Sequence, residues 1–208
     1  ICAGAPPVLK DKLNLKMSSE YKFLNQSGCL KISGVDDAHN FIKLVDAFDT
    51  LGIPRQDREN VFELLAAVLW LGNVSFAVTD EEHVEPVADE ASRSAARLMG
   101  CKMDDLMMVL STNRTHNTTE TLTLQQATDK RNALANFVYE SLFNWLIEEV
   151  NASLKGDGQH TQHTISILDT CGFESLQKNS FQQLLINYAD ERLQQHFVCH
   201  LCKLEQEV

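Results

Sequence analysis

Residues 164–197 read TISILDTCGFESLQKNSFQQLLINYADERLQQHF. A short apolar run, Ile165, Ile167 and Leu168, ends in Asp169; Gly172 follows three residues later, and a helical pattern then begins. The length of the run and its branched side chains predict a buried strand. An acid at the tip of such a strand stands where phosphate-binding α/β proteins place the carboxylate that orients magnesium through its water shell. Gly172 has no Cβ, so its backbone N–H can come close to an anion. Glu174 suits a cationic partner or the positioning of a water. Taken alone, strand–Asp–x–x–Gly is also the pattern of an ordinary strand-terminating turn, and in an arbitrary chain the turn is the commoner reading. Asn179 is expected to cap the next helix, with Gln182 completing a capping-box pattern. Continued to Glu207, that helix would be about 42 Å long. Such a length suits a mechanical element and equally a long structural helix.

Composition bounds what surrounds this stretch. The chain has 208 residues, 44% of them hydrophobic, enough to bury a sizeable core in one or two domains. It holds no run of about 18 apolar residues and opens with no basic-then-apolar leader, so neither a membrane span nor a secretory signal is expected. A start at Ile1 fits an internal piece of a longer chain. Eighteen basic against 29 acidic residues give a net charge of -11, which argues against a general nucleic-acid surface. Six scattered cysteines, at 2, 29, 101, 171, 199 and 202, lack the framework of a small secreted domain and point to reduced thiols in the cytoplasm. The Asn-x-Ser/Thr matches then read as chance.

Most of the chain reads as helix. Asp36 or Asp37 caps a segment with Phe41, Ile42, Val45 and Phe48 at helical spacing, and Gly52 stops it. Val61, Phe62, Leu65, Val68 and Leu69 form the broad apolar face of a deeply buried helix, with Gly72 as its expected stop. A third helix, in "DEASRSAARLMG", presents Ala91, Ala95 and Leu98 before Gly100, and a fourth, weaker one covers Asp104–Leu110. "STNRTHNTTET", residues 111–121, has no large apolar anchor and reads as an exposed loop. A helix follows from Leu124 to about Ser153, with Leu134, Phe137, Val138, Leu142, Trp145 and Leu146 marking one face. A polar connection then leads to the opening stretch. Trp70 and Trp145 read as core residues.

The wording "LDTCGFES", then "NSFQQLLINYADERLQQHF" and "KLEQE", resembles the switch II segment and relay helix of the myosin motor head. "DKRNALANFVYESLFNWLIEEVNASL", "VFELLAAVLWLGNVSF" and "ICAGAPPVLKDKLNLK" extend the resemblance over essentially the whole chain in family order, and the wording is most similar to the class-eight myosins of land plants. The resemblance implies a mostly α fold with a short β contribution, part of a P-loop NTPase-like motor. Residues 1–153 would lie in the upper half of the actin-binding cleft, 164–178 would be the switch II strand and loop, and 179–208 the relay helix. Asp169 would reach Mg2+ through water, and Gly172 would meet the γ-phosphate of ATP. Glu174 would pair with a switch I arginine around the attacking water, with Phe173 moving as part of the loop. Residues Asn113, Arg114, Thr115, His116, Asn117, Thr118 and Thr119 fall where the family carries an actin-contacting loop. Implied partners are actin filaments, the remainder of the heavy chain and calmodulin-like light chains on a lever, with a cytoplasmic, cytoskeleton-associated location.

Departures from the family temper these implications. Thr170 and Cys171 stand where Ile and an aromatic or small residue are common, and Asn132 and Asn136 replace the usual acid and lysine. Arg114 is the one permanent cation between 113 and 121. No G-x-x-x-x-G-K-[ST] occurs in the 208 residues, so the amide nest and lysine that hold triphosphate are absent from them. The chain alone is therefore expected to hydrolyse no ATP. A catalytically inactive remnant acting at most as a binding module is the alternative, and a zinc-bound helical module is a third reading. The latter rests on Cys199-x-x-Cys202 flanked by His196 and His200, for which ordinary helix positions are the favoured reading.

Overall fold

The computed structural model describes residues 1–78, 84–115, 118–155, 165–170 and 172–203, without the side chains of 114–115, 118–121 and 201–203. The chain divides into two compact units, residues 1–157 and 158–208. The first unit is helical: α1 (Pro7–Leu13), a 3₁₀ turn (Ser18–Glu20), α2 (Lys22–Asn25), α3 (Asp37–Thr50), α4 (Arg55–Asn73), α5 (Glu90–Leu98), α6 (Met103–Ser111) and α7 (Leu124–Ser153). Two antiparallel ribbons join it: β1 (Phe76–Val78) pairs with β2 (Val84–Pro86), and β3 (Thr112–Thr115) with β4 (Thr118–Thr121).

Helix α4 is the centre of this unit. Its apolar positions recur on more than one face, and Val61, Phe62, Ala66, Ala67, Trp70 and Leu71 are all buried. It packs against α5 and α7. Helix α5 presents Ala91, Ala95 and Ala96, small enough to let the two backbones approach closely. Asp36 caps α3 by accepting from the amides of Ala38 and His39, and Asp89 caps α5 in the same way through Ala91 and Ser92. Phe62 joins α3 to α4, its ring 5.4 Å from that of Phe41 and 6.0 Å from that of Phe48.

Gly72 does not stop α4, which runs on to Asn73. A Cβ at Gly72 would stand 2.7 Å from the ring of Phe23, so the glycine is kept for close packing against α2 and the helix continues through it. Gly52 and Gly100 do follow helix ends, at φ +70° and +67°. The expected loop at 111–121 is the β3–β4 ribbon, in register Thr112 with Thr121 and Asn113 with Glu120. Its β-branched threonines favour pleated backbone. Anchorage comes from the base: Leu122 N donates to Ser111 O (3.0 Å) and Lys130 Nζ to Thr112 O (2.7 Å). In α7, Leu134, Leu142, Trp145 and Leu146 pack on the core as the periodicity predicts, whereas Phe137 is exposed.

The second unit contains α8 (Phe181–Phe197) and a π-helical turn (Val198–Lys203). Residues 204–208, at the end of the expected long helix, lie outside the described residues. The α-helical part spans about 26 Å at 1.5 Å per residue, and the wider π turn then replaces the α-helix. Ser180, not Asn179, is the N-cap: it accepts from Gln182 N, and Gln183 Oε1 accepts from Ser180 N at 2.8 Å. Asn179 instead accepts from Leu176 N at 2.9 Å, closing the turn before the helix. The buried strand expected at Ile165–Leu168 is absent. These residues are irregular, and Ile165 is 96% exposed. A strand needs a neighbour for its backbone groups, and no strand among the described residues pairs with this one.

Two buried polar groups give measurable consequences. Arg131 is buried on α7, where its Nη1 donates to Val74 O (2.7 Å) and its Nε and Nη2 to Asn132 Oδ1 (3.1 and 2.8 Å). Burial lowers its pKa, and no carboxylate pairs with it among the described residues. Asn132→Asp should stabilise the fold by about 1 kcal/mol, because a charged acceptor makes a stronger bond. Urea midpoints should show that gain at low salt and part of it lost at high salt. Tyr21 is fully buried, edge-on to Trp70, and accepts from Lys16 N at 3.0 Å. Burial pushes its phenol up to about 12 from 10.0. The stability gained by keeping it protonated is complete below pH 10 and disappears as pH rises towards 12. Tyr21→Phe should be about 1 kcal/mol less stable at neutral pH and lose that alkaline component, read from thermal melts between pH 8 and 12.

Candidate functional site

The residues singled out for phosphate chemistry all fall in the unit 158–208. Asp169 is exposed at the end of the irregular run, and its carboxylate forms no ion pair among the described residues. Cys171 lies outside the described residues. Gly172 is half-buried with φ +73°, a left-handed conformation that a side chain would strain, and this accounts for glycine at that position. Phe173 is 64% exposed and Glu174 half-buried.

Only Glu174 is tied to the helix that follows. The side-chain amide of Asn187, two turns into α8, makes two bonds to the backbone of Glu174. Glu174 N donates to Asn187 Oδ1 at 2.7 Å, and Asn187 Nδ2 donates to Glu174 O at 2.8 Å. One primary amide thus replaces the neighbouring strand that this peptide lacks, supplying both an acceptor and a donor. The carboxylate of Glu174 is left uncommitted to this contact. The Asn187 side chain therefore links the backbone of the Gly172–Phe173–Glu174 loop to α8.

Sequence reasoning did not identify Asn187. Its signal was a helix-unfavourable residue in the middle of a helical pattern, since Asn side chains compete for backbone partners. Here Asn187 bonds to a backbone 13 residues earlier, a separation that periodicity cannot reveal.

The second set of candidates belongs to the unit 1–157. Asn113 is exposed on β3; Arg114 and Thr115 extend β3, and Thr118 and Thr119 begin β4. His116 and Asn117, which join the strands, lie outside the described residues. The ribbon thus presents a defined edge where a structureless loop was expected. As for metal, no group of three or more His, Cys, Asp or Glu converges among the described residues. None of their helices is long and apolar enough to cross a membrane.

The first unit is built on the central buried helix α4, and in the second the loop ending in Glu174 is hydrogen-bonded to α8. The chain belongs to the myosin head (motor domain) family, whose description matches residues 1–208. It is 58% identical over 212 residues to Myosin-2 of Arabidopsis thaliana and 56% identical over 212 residues to Myosin-4 of the same plant. Myosin-13, also from Arabidopsis thaliana, is similar at 38%. All of this chain is covered in each case, but only 17%, 19% and 14% of the respective relatives. The chain therefore spans less than a fifth of the length of the curated relatives it matches.

Asn187→Ala removes both bonds to Glu174. Each is worth about 1 kcal/mol, so the Glu174 amide should exchange with solvent at least tenfold faster, while amides in α4 are unchanged. Hydrogen exchange read by NMR checks this.

Proposed function

We propose that this chain supplies the phosphate-sensing loop and output helix of an actin-based, Mg-ATP-dependent motor. The observation that carries the reading is the Asn187 clamp on Glu174, which gives the loop a direct mechanical path into α8. In this reading residues 1–153 form the upper part of the actin-binding cleft, 164–178 are switch II, and 179–208 are the relay helix.

The residues present suit part of a nucleotide site and not a whole one. Asp169 offers an exposed carboxylate with no ion pair among the described residues, and Gly172 a backbone amide in a conformation that disfavours side chains. The sequence contains no lysine-bearing phosphate loop to go with them. Asp169 would hold Mg2+ through water and Gly172 would donate to the terminal phosphate. Magnesium, when bound, neutralises charge on the phosphates and fixes their orientation. Glu174, its backbone held by Asn187, would take an arginine from a segment outside these residues. Phe173, exposed between them, would travel with the loop. Hydrolysis needs charge stabilisation from several loops at once, so these 208 residues contribute to it without performing it.

The β3–β4 ribbon, with Asn113, Arg114, Thr115, His116, Asn117, Thr118 and Thr119, is the proposed contact with actin filaments. The rest of the heavy chain is the obligate partner, light chains would sit on the lever, and the setting is the cytoplasmic cytoskeleton. A non-catalytic role as a binding module is the second reading, favoured by the absent phosphate-loop motif and by Thr170–Cys171.

Two measurements separate the readings. Purified as 208 residues, the chain should release no phosphate from Mg-ATP above background, and clear turnover would overturn the division of labour proposed here. Placed in a complete heavy-chain head, Gly172→Ala should lower actin-activated ATPase at least a hundredfold, because the added side chain strains φ +73° and stands where the phosphate is met. Unchanged turnover would favour the non-catalytic module.

A further inference from the structure

The end of α8 and the π-helical turn after it carry a pair of side chains for which the motor reading has no use. His196 lies in the last turn of α8 and His200 in the π-helical turn that follows, four residues apart. Their rings lie 4.1 Å apart, centroid to centroid, tilted by 52°. Both are exposed, and neither ring makes a hydrogen bond among the described residues. Spacing i, i+4 puts two imidazoles on one helix face, the arrangement by which a single helix supplies two nitrogens to one ion. A tetrahedral ion about 2.1 Å from each nitrogen needs the two nitrogens about 3.4 Å apart, which these exposed rings, now in contact, can reach by turning about their side-chain bonds.

We propose that His196 and His200 form a two-imidazole chelate for a borderline divalent transition ion, Zn2+ or a neighbour in its series. Hard cations such as Mg2+ and Ca2+ are excluded by the ligand type, since imidazole nitrogen suits Zn2+, Ni2+ and Cu2+. With no further His, Cys, Asp or Glu converging on the pair among the described residues, water completes the coordination. Among the described residues no third protein ligand or general base of a hydrolytic zinc centre stands beside the pair, so the proposal is one of binding. A bound ion would cross-link the last α-helical turn to the π turn and stiffen the far end of the output helix. The exposed thiol of Cys199, one residue before His200, is the competing donor.

Isothermal titration of the 208-residue chain with ZnCl2, and absorption spectra with Co2+, test this. The wild-type chain should bind Zn2+ at one site that either His196→Ala or His200→Ala weakens at least tenfold, while Cys199→Ser changes it less than threefold. The Co2+ form should lack a thiolate-to-metal charge-transfer band at this site. Far-UV circular dichroism should be unchanged in all variants, since the substituted side chains are exposed. Zn2+ binding that survives both histidine variants, or that Cys199→Ser abolishes together with a thiolate band, would overturn the proposal. So would the absence of any saturable Zn2+ binding to the wild-type chain.

Discussion

Backbone hydrogen bonding is the constraint from which the rest of this structure follows. Every peptide group taken from water must find a partner, and a helix finds it four residues away, whatever else the chain contains. Seven of the helices described here lie between Pro7 and Ser153, and they can therefore close their own ladders and pack around α4. The segment 165–168 carries residues as apolar as any in α4, yet a strand takes its partners from outside itself. None among the described strands pairs with it, and its isoleucines remain exposed. Hydrophobicity selects which surfaces are buried only after the backbone has somewhere to go.

The same constraint explains Asn187. Beyond Gly172 the chain needs a partner for Glu174, and the side-chain amide reaching back from α8 is a donor and an acceptor in one planar group. That contact orders the loop and attaches it to the helix. The left-handed backbone at Gly172 lies two residues before the attachment.

In the first unit, polar groups decide details that apolar packing leaves open. Lys12 reaches Glu59 and Glu63 (2.9 and 3.0 Å), drawing α1 onto α4. Asn14, in the left-handed cap of α1, donates to Glu90 and Ser94 (2.9 and 3.1 Å) and docks the same helix end on α5. The bonds from Asn14 and Lys16 hold the Glu90 carboxyl below the usual carboxylate range. Arg131 spans from α7 to Val74 O at the end of α4. Its guanidinium bonds to the neutral amide of Asn132 and to a backbone carbonyl.

The sequence by itself determined the helices, because helical periodicity and caps are local properties. Asp36, Asp89 and the Leu124–Ser153 span are legible from neighbouring residues, and family wording located Asp169, Gly172 and Glu174. Other features rest on contacts distant in the chain. Gly72 reads as a stop until Phe23 is seen against it, and Asn179 reads as the cap although one residue decides between it and Ser180. The threonine-rich stretch reads as a loop because nothing within it anchors it; Lys130 and Leu122 do so from the neighbouring chain. Tertiary structure alone decided that Ile165–Leu168 is no strand and that Asn187 holds Glu174. Strand formation and side-chain capture both require a partner that spacing along one segment cannot specify.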